Sequence, residues 1–127
     1  MKVKIVNKNT GLSKDKLDVI ETFIVYCQDT SPLKKDVSIN LLSERIGKMT
    51  TGSEITGTIK VLSKGRMLRD IIKTLAHEWV HEFARQRNIK LQGYNTMSQE
   101  DYANSESALM VTNFEKKHPE FSAILYT

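Results

Sequence analysis

Eighteen consecutive residues, Leu68 to Arg85, contain neither glycine nor proline, and their apolar members fall at helical spacing. Ile72, Leu75, Ala76, Trp79, Val80 and Phe83 recur at three- and four-residue steps, the period of a helix with one buried side. Such a helix must lay that side on a sheet or on other helices, so the run dictates a layered domain around it. The chain has 127 residues, a common size for one domain with a core of its own. No linker, repeat or low-complexity stretch divides it, so residues 1–127 read as a single domain.

The rim of the apolar side carries His77-Glu78-Trp79-Val80-His81. Four residues advance an α-helix by about 400°, so His77 and His81 stack on one face, one turn apart. Two neutral imidazoles at that separation can grip one tetrahedral zinc ion, and Glu78 sits one position round the helix, within reach of a zinc-held water. A helix with two surface histidines beside acidic neighbours would show the same five letters. The assignment therefore turns on a third ligand.

The chain has three histidines, which leaves His118 as the only other imidazole. A third ligand in the pattern H-E-x-x-H-x-x-G-x-x-H needs Gly at 84 and His at 87, where this chain has Ala84 and Arg87. Cys27 falls near the end of an apparent helix and reads as a core residue. A carboxylate on a second helix remains. Ser98-Gln99-Glu100-Asp101 reads as a helix start with Ser98 as N-cap, and the helix should run to about Lys116, before His118-Pro119. Glu100 and Asn104, four apart, share a face with the small residues Ala103 and Ser107, which permit close helix approach. Glu100 is the expected third ligand and Asn104 the residue to orient one imidazole. Asp101 and Glu106 are rival carboxylates on the same helix but point elsewhere, and acidic residues near a helix start are favourable without any metal.

His77-Glu78-Trp79-Val80-His81, followed 19 positions later by Glu100-Asp101-Tyr102-Ala103-Asn104, resembles the gluzincin pattern H-E-x-x-H then E-x-x-x-D/N. The E-x-x-A-N form, with Leu75-Ala76 leading into the first histidine, is most similar to the ImmA/IrrE-type minimal metallopeptidases of bacteria and phages. The similarity spans roughly residues 55 to 114. Ser105 after the asparagine and Trp79-Val80 before His81 depart from the family's usual choices. The resemblance implies a phage-like, zinc-dependent metallopeptidase that cuts a protein or peptide substrate, and the single cysteine with no apolar signal core at the N-terminus makes the expected location cytoplasmic.

Outside the motif the pattern is coarser. Lys2 to Asn7 alternates as a strand, and Lys14 to Gln28 has helical spacing with Ser13 as cap. Val37, Ile39 and Leu41 alternate as a second strand; Glu54 to Leu62, with Ile55, Gly57, Ile59 and Val61 on one side, reads as a third. The order is βαββαα, an α+β class of the minimal zincin-like kind with a small sheet over the active-site helix. The strand Glu54 to Leu62 is the expected edge on which an extended peptide would lie.

The net charge of +4 and pI near 9.2 come from scattered lysines and arginines with no nucleic-acid motif, which argues for a solvated surface rather than a nucleic-acid partner. One cysteine allows no internal disulfide and fits a reducing compartment, and no segment reaches the ~20 apolar residues of a membrane span. Glu78 is the expected general base, and Tyr94, in the loop between the two ligand helices, the expected oxyanion donor. Tyr102, Tyr126 and His118 are the alternatives. The competing function is a non-catalytic zincin-like module of phage type that binds a protein partner. An intact Glu78 argues against it, since a structural site needs no base. The sequence leaves oligomeric state open.

Overall fold

Three short runs in which β-branched and leucine side chains alternate with polar ones become parallel neighbours in the computed structural model, which describes residues 1–89 and 99–127. They are β1 (Val3–Lys8), β2 (Val37–Leu42) and, beyond a short strand β3 (Gly52–Ile55), β4 (Thr58–Leu62). The sheet order is β1-β2-β4-β3, with β3 antiparallel to β4 at one edge. Ile39 and Leu41 register with Ile59 and Val61, and these four and Val37 are buried, whereas Ser38 and Asn40 are only half-buried. One sheet face therefore carries the core, as a period of two requires.

Helix α1 (Lys14–Thr30) links β1 to β2. Its first turn is closed by Ser13, whose Oγ accepts from the Lys16 N–H at 3.2 Å. Ile20, Phe23 and Cys27 point into the core, and burial holds the Cys27 thiol well above its ordinary pKa, which confirms it as packing rather than chemistry. Helix α2 (Leu68–Gln86) lies across the sheet and against α1 and α3 (Gln99–Lys117). Leu75, Ala76 and Trp79 are fully buried. Removing a side chain such as Leu75 down to alanine would cost about 2–5 kcal/mol. The Trp79 indole N–H donates to Ser31 O at 2.8 Å, and Gln86 Oε1 accepts from the N–H groups of Lys34 and Lys35. The last two turns of α2 are thereby pinned to the segment that enters β2.

Two expectations need correction. The residues Glu54 to Leu62 form a hairpin, not one strand, because Thr56 and Gly57 make a two-residue turn in which Gly57 takes φ 78°. The element order is therefore βαβββαα before two terminal 3-10 turns. Ile55, expected beside Ile59 and Val61, pairs with Thr58 on the opposite face and is 68% exposed. The α+β class and the small sheet packed on α2 stand. Ser98, the expected cap of α3, lies outside the described residues. Among the described residues no helix is long and apolar enough to cross a membrane.

Candidate metal centre

Helix α3 closes on α2 through Ala103 and Ser107, both fully buried, as their size requires for a close crossing. The Ser107 hydroxyl turns back to Asn104 O at 3.1 Å, so its oxygen is satisfied within its own helix. This approach brings Glu100 over the histidine rim of α2. Glu100 Oε2 is 2.8 Å from His77 Nε2, Glu100 Oε1 is 2.9 Å from His81 Nε2, and the two Nε2 atoms are 3.2 Å apart. Each carboxylate oxygen faces one ring. Tetrahedral coordination with bonds of 2.0–2.2 Å puts ligand atoms about 3.3–3.5 Å from one another. The observed separations fall inside that spacing, so the three groups, now in direct contact, would have to move apart by some tenths of an ångström to hold an ion of that size.

Glu78 lies beside this group, and ligand atoms of His77, Glu78 and His81 all fall within 4.8 Å of one another, close enough for these three also to hold an ion. Glu78 Oε1 is 4.0 Å from His77 Nε2, its side chain is 8% exposed, and its buried Oε2 has no hydrogen-bond partner. Burial first, then the charges of Glu100 and Glu54, push the Glu78 carboxyl up to about 7. An unsatisfied carboxylate oxygen at the edge of a cluster of nitrogen and oxygen donors is what a proton acceptor for a small bound molecule requires. Burial also holds His81 below its ordinary value, against the opposing pull of Glu100, and so favours the neutral ring that a metal needs.

The cluster sits in a cleft of about 740 Å³ between β3 and α3, with α2 as its floor. Glu100 lines it and the rival carboxylates Asp101 and Glu106 do not. Asn104 also lines it, but among the described residues its side chain bonds neither ring, which corrects its expected orienting role. Tyr94 lies outside the described residues. Of its alternatives, Tyr126 donates to Glu115 Oε2 at 3.2 Å, and His118 is stacked on Phe121 with Nδ1 3.0 Å from Glu120. Neither of these two, nor Tyr102, reaches the cleft.

Three groups escaped the sequence reading. Gly52 opens β3 against α2, where an added Cβ would lie 2.5 Å from Thr74 Cγ2 and 3.1 Å from Glu78 Cγ. Glycine is required there by close approach. Glu82, one turn beyond Glu78, is fully buried and accepts from the Gly57 N–H at 3.2 Å, from Gln86 Nε2 at 2.7 Å and from Arg85. Arg85 also reaches Glu54 at 3.2 Å, so this network clamps the hairpin onto α2 beside the cleft. Lys73 and Arg66 form the opposite end of the cleft wall. A glycine in a strand is a faint sequence signal for Gly52, whereas nothing in the sequence marked Glu82 as buried. No family model, curated protein or solved structure matches this chain.

Proposed function

We propose that this protein is a zinc-dependent metallopeptidase with a zincin-like fold. One observation carries the reading: His77, His81 and Glu100 converge within 2.8–3.2 Å while Glu78 keeps a buried, unpartnered oxygen next to them. His77, His81 and Glu100 would be the residues that hold the ion. Zinc bound there supplies Lewis acidity toward a peptide carbonyl and toward water. Glu78 Oε2 takes the proton of the attacking water and returns it to the leaving amine. Burial and the charges of Glu100 and Glu54 raise the Glu78 carboxyl in the metal-free protein, and a cation held by the neighbouring ligands would draw it down again.

Substrate positioning falls to β3 rather than to the whole segment Glu54 to Leu62, since β4 is interior. The Leu62 N–H donates to Thr51 O at 2.8 Å, which makes Thr51 and Leu62 a bonded pair. Alternation then turns the backbone N–H and C=O of Gly52 and Glu54 away from β4 toward the cleft. An extended peptide can add to that edge, with backbone bonds for affinity and the cleft for side-chain choice.

Metal analysis beside hydrolysis of a peptide library tests the reading. Stoichiometric zinc is expected in the parent and in Glu78→Gln, with loss in His81→Ala and in Glu100→Ala. Cleavage should fall about 10²–10⁴-fold in Glu78→Gln. Zinc binding that survives His81→Ala refutes the ligand set. Zinc binding with no cleavage of any library member leaves the non-catalytic binding module in its place.

A further inference from the structure

The cleft is not electrically uniform. Around its centre stand Glu78 and Glu100, whereas the wall formed by the turn before α2 and by that helix's first turns carries Arg66 and Lys73, with Asp70 between them in sequence. Arg66 is half-buried and makes three hydrogen bonds, all to neutral oxygens: Leu62 O at 2.7 Å, Asp70 O at 3.3 Å and Thr74 Oγ1 at 3.0 Å. These bonds fix the guanidinium and leave its charge without a carboxylate contact. Arg45, whose Nε donates to Thr50 O at 2.7 Å, lies close enough to oppose the Arg66 charge, while Asp70 supports it. Lys73 is half-buried on the same wall and has neither an ion pair nor a hydrogen bond among the described residues. Asp70, three positions earlier and exposed, is not bonded to it. Half-burial lays the Lys73 stem along the wall and leaves its ammonium free to meet a ligand in the cleft.

We propose that Lys73, with Arg66 behind it, binds a carboxylate of the peptide substrate within about two residues of the bond to be cut. The reach follows from spacing. Lys73 precedes His77 by one helical turn, about 6 Å along α2, and an extended peptide covers that distance in about two residues. Lys73, His77 and His81 thus form one row along the cleft floor, cation first and imidazoles after. A carboxylate is the chemistry the site selects: Lys73 offers a mobile ammonium with three donors, and Arg66 adds a fixed positive field. Its source is either an acidic side chain or the free C-terminus of the peptide. The proposal takes its peptide ligand from the metallopeptidase reading, but the carboxylate preference is separable from hydrolysis.

Glu78→Gln protein, which binds without turnover, is the material for the test, titrated both with and without added zinc. Two pairs of peptides are titrated to millimolar concentration while the backbone amides of Lys73 and Thr74 are followed by NMR. The first pair is N-acetyl-Gly-Gly-Ala-Asp-Ala-amide and its Asn twin; the second is N-acetyl-tetra-alanine as free acid and as amide. At least one acidic member should bind about tenfold more tightly than its neutral twin. The pair that shows the advantage identifies the source. Lys73→Met should abolish the advantage, Lys73→Arg should keep it, and added salt should shrink it. Equal affinity within both pairs, no shift at Lys73 and Thr74 with any peptide, or an advantage that survives Lys73→Met overturns the proposal. If zinc analysis and cleavage fail while the Lys73-dependent advantage holds, the metallopeptidase reading falls and the carboxylate site stands. If cleavage occurs and the acidic peptides gain nothing, only the site falls.

Discussion

Glu78 and Glu82 stand one turn apart on the same helix, both buried, in opposite circumstances. Glu82 is surrounded by donors: Gly57 N–H, Arg85, Gln86 and the carboxyl of Glu54. Burial alone would raise its pKa, but these bonds outweigh it and hold the carboxylate ionised well below its ordinary value. Glu78 has burial without the bonds, and it is pushed up to about 7. One helix thus contains a carboxylate whose every lone pair is used and another kept in want of a partner. The first serves the fold, which cannot leave a buried charge unpaired; the second is available for chemistry.

The contrast breaks most sharply under substitution. In metal-free protein at pH 8, Glu82→Ala leaves Arg85, Glu54 and the Gly57 N–H without their acceptor and should cost about 3–5 kcal/mol in urea unfolding. Glu78→Gln removes an unpaired buried charge and should raise stability by about 1 kcal/mol. Comparable losses at both positions would show that Glu78 is as much a structural group as Glu82, and the distinction between them would be void.

Helical regularity made two faces legible in the sequence: i, i+4 spacing puts His77 and His81 on one, and the second helix puts Glu100 with Ala103 and Ser107 on another, while the meeting of the two faces is tertiary. The sequence also disclosed the core of α2 from Ile72 to Val80, where apolar period and burial coincide. It concealed Glu82, because a charged letter on a helix reads as solvent-facing, and only the tertiary position of the Thr56–Gly57 turn supplies its partners. The same turn hid β3. Ile55, Gly57, Ile59 and Val61 keep a period of two across the hairpin, so alternation alone could not tell one strand from two. Asn104 had the right face but not the contact, since a shared helix face fixes direction and leaves reach undetermined.

Gly52 sharpens the comparison from the strand side. Its missing Cβ is the space that Thr74 Cγ2 and Glu78 Cγ occupy. Gly52→Ala must move β3, Thr74 or Glu78, and a misfit of this kind costs about 1–3 kcal/mol. If Gly52 positions Glu78, cleavage by the folded variant should fall and the acid limb of its pH profile should shift, with zinc content unchanged. A variant with reduced stability but the parent's pH profile would confine Gly52 to packing.

The smallest effect concerns Glu54, which couples the two halves of the contrast. Burial, then its hydrogen bond and charge contact with Glu82, raise its carboxyl to about 7. A carboxyl raised in the folded state favours folding while protonated, and that contribution fades as pH climbs from its unfolded value near 4.5 through about 7. His81, held below its ordinary value, works in the other direction, and Glu78 in the same direction, so the parent's curve sums several groups. The difference between Glu54→Gln and parent isolates Glu54. The amide can donate to Glu82 as the protonated acid does, so the two metal-free proteins should be nearly equal at pH 5. By pH 8 the variant should be ahead by about 1 kcal/mol, a figure reduced for solvent screening. A difference that stays constant between pH 5 and 8 would mean that Glu54 carries its charge freely beside Glu82. Arg85 would then suffice to neutralise both carboxylates, and the Glu54 charge felt by Glu78 would be present throughout the working range.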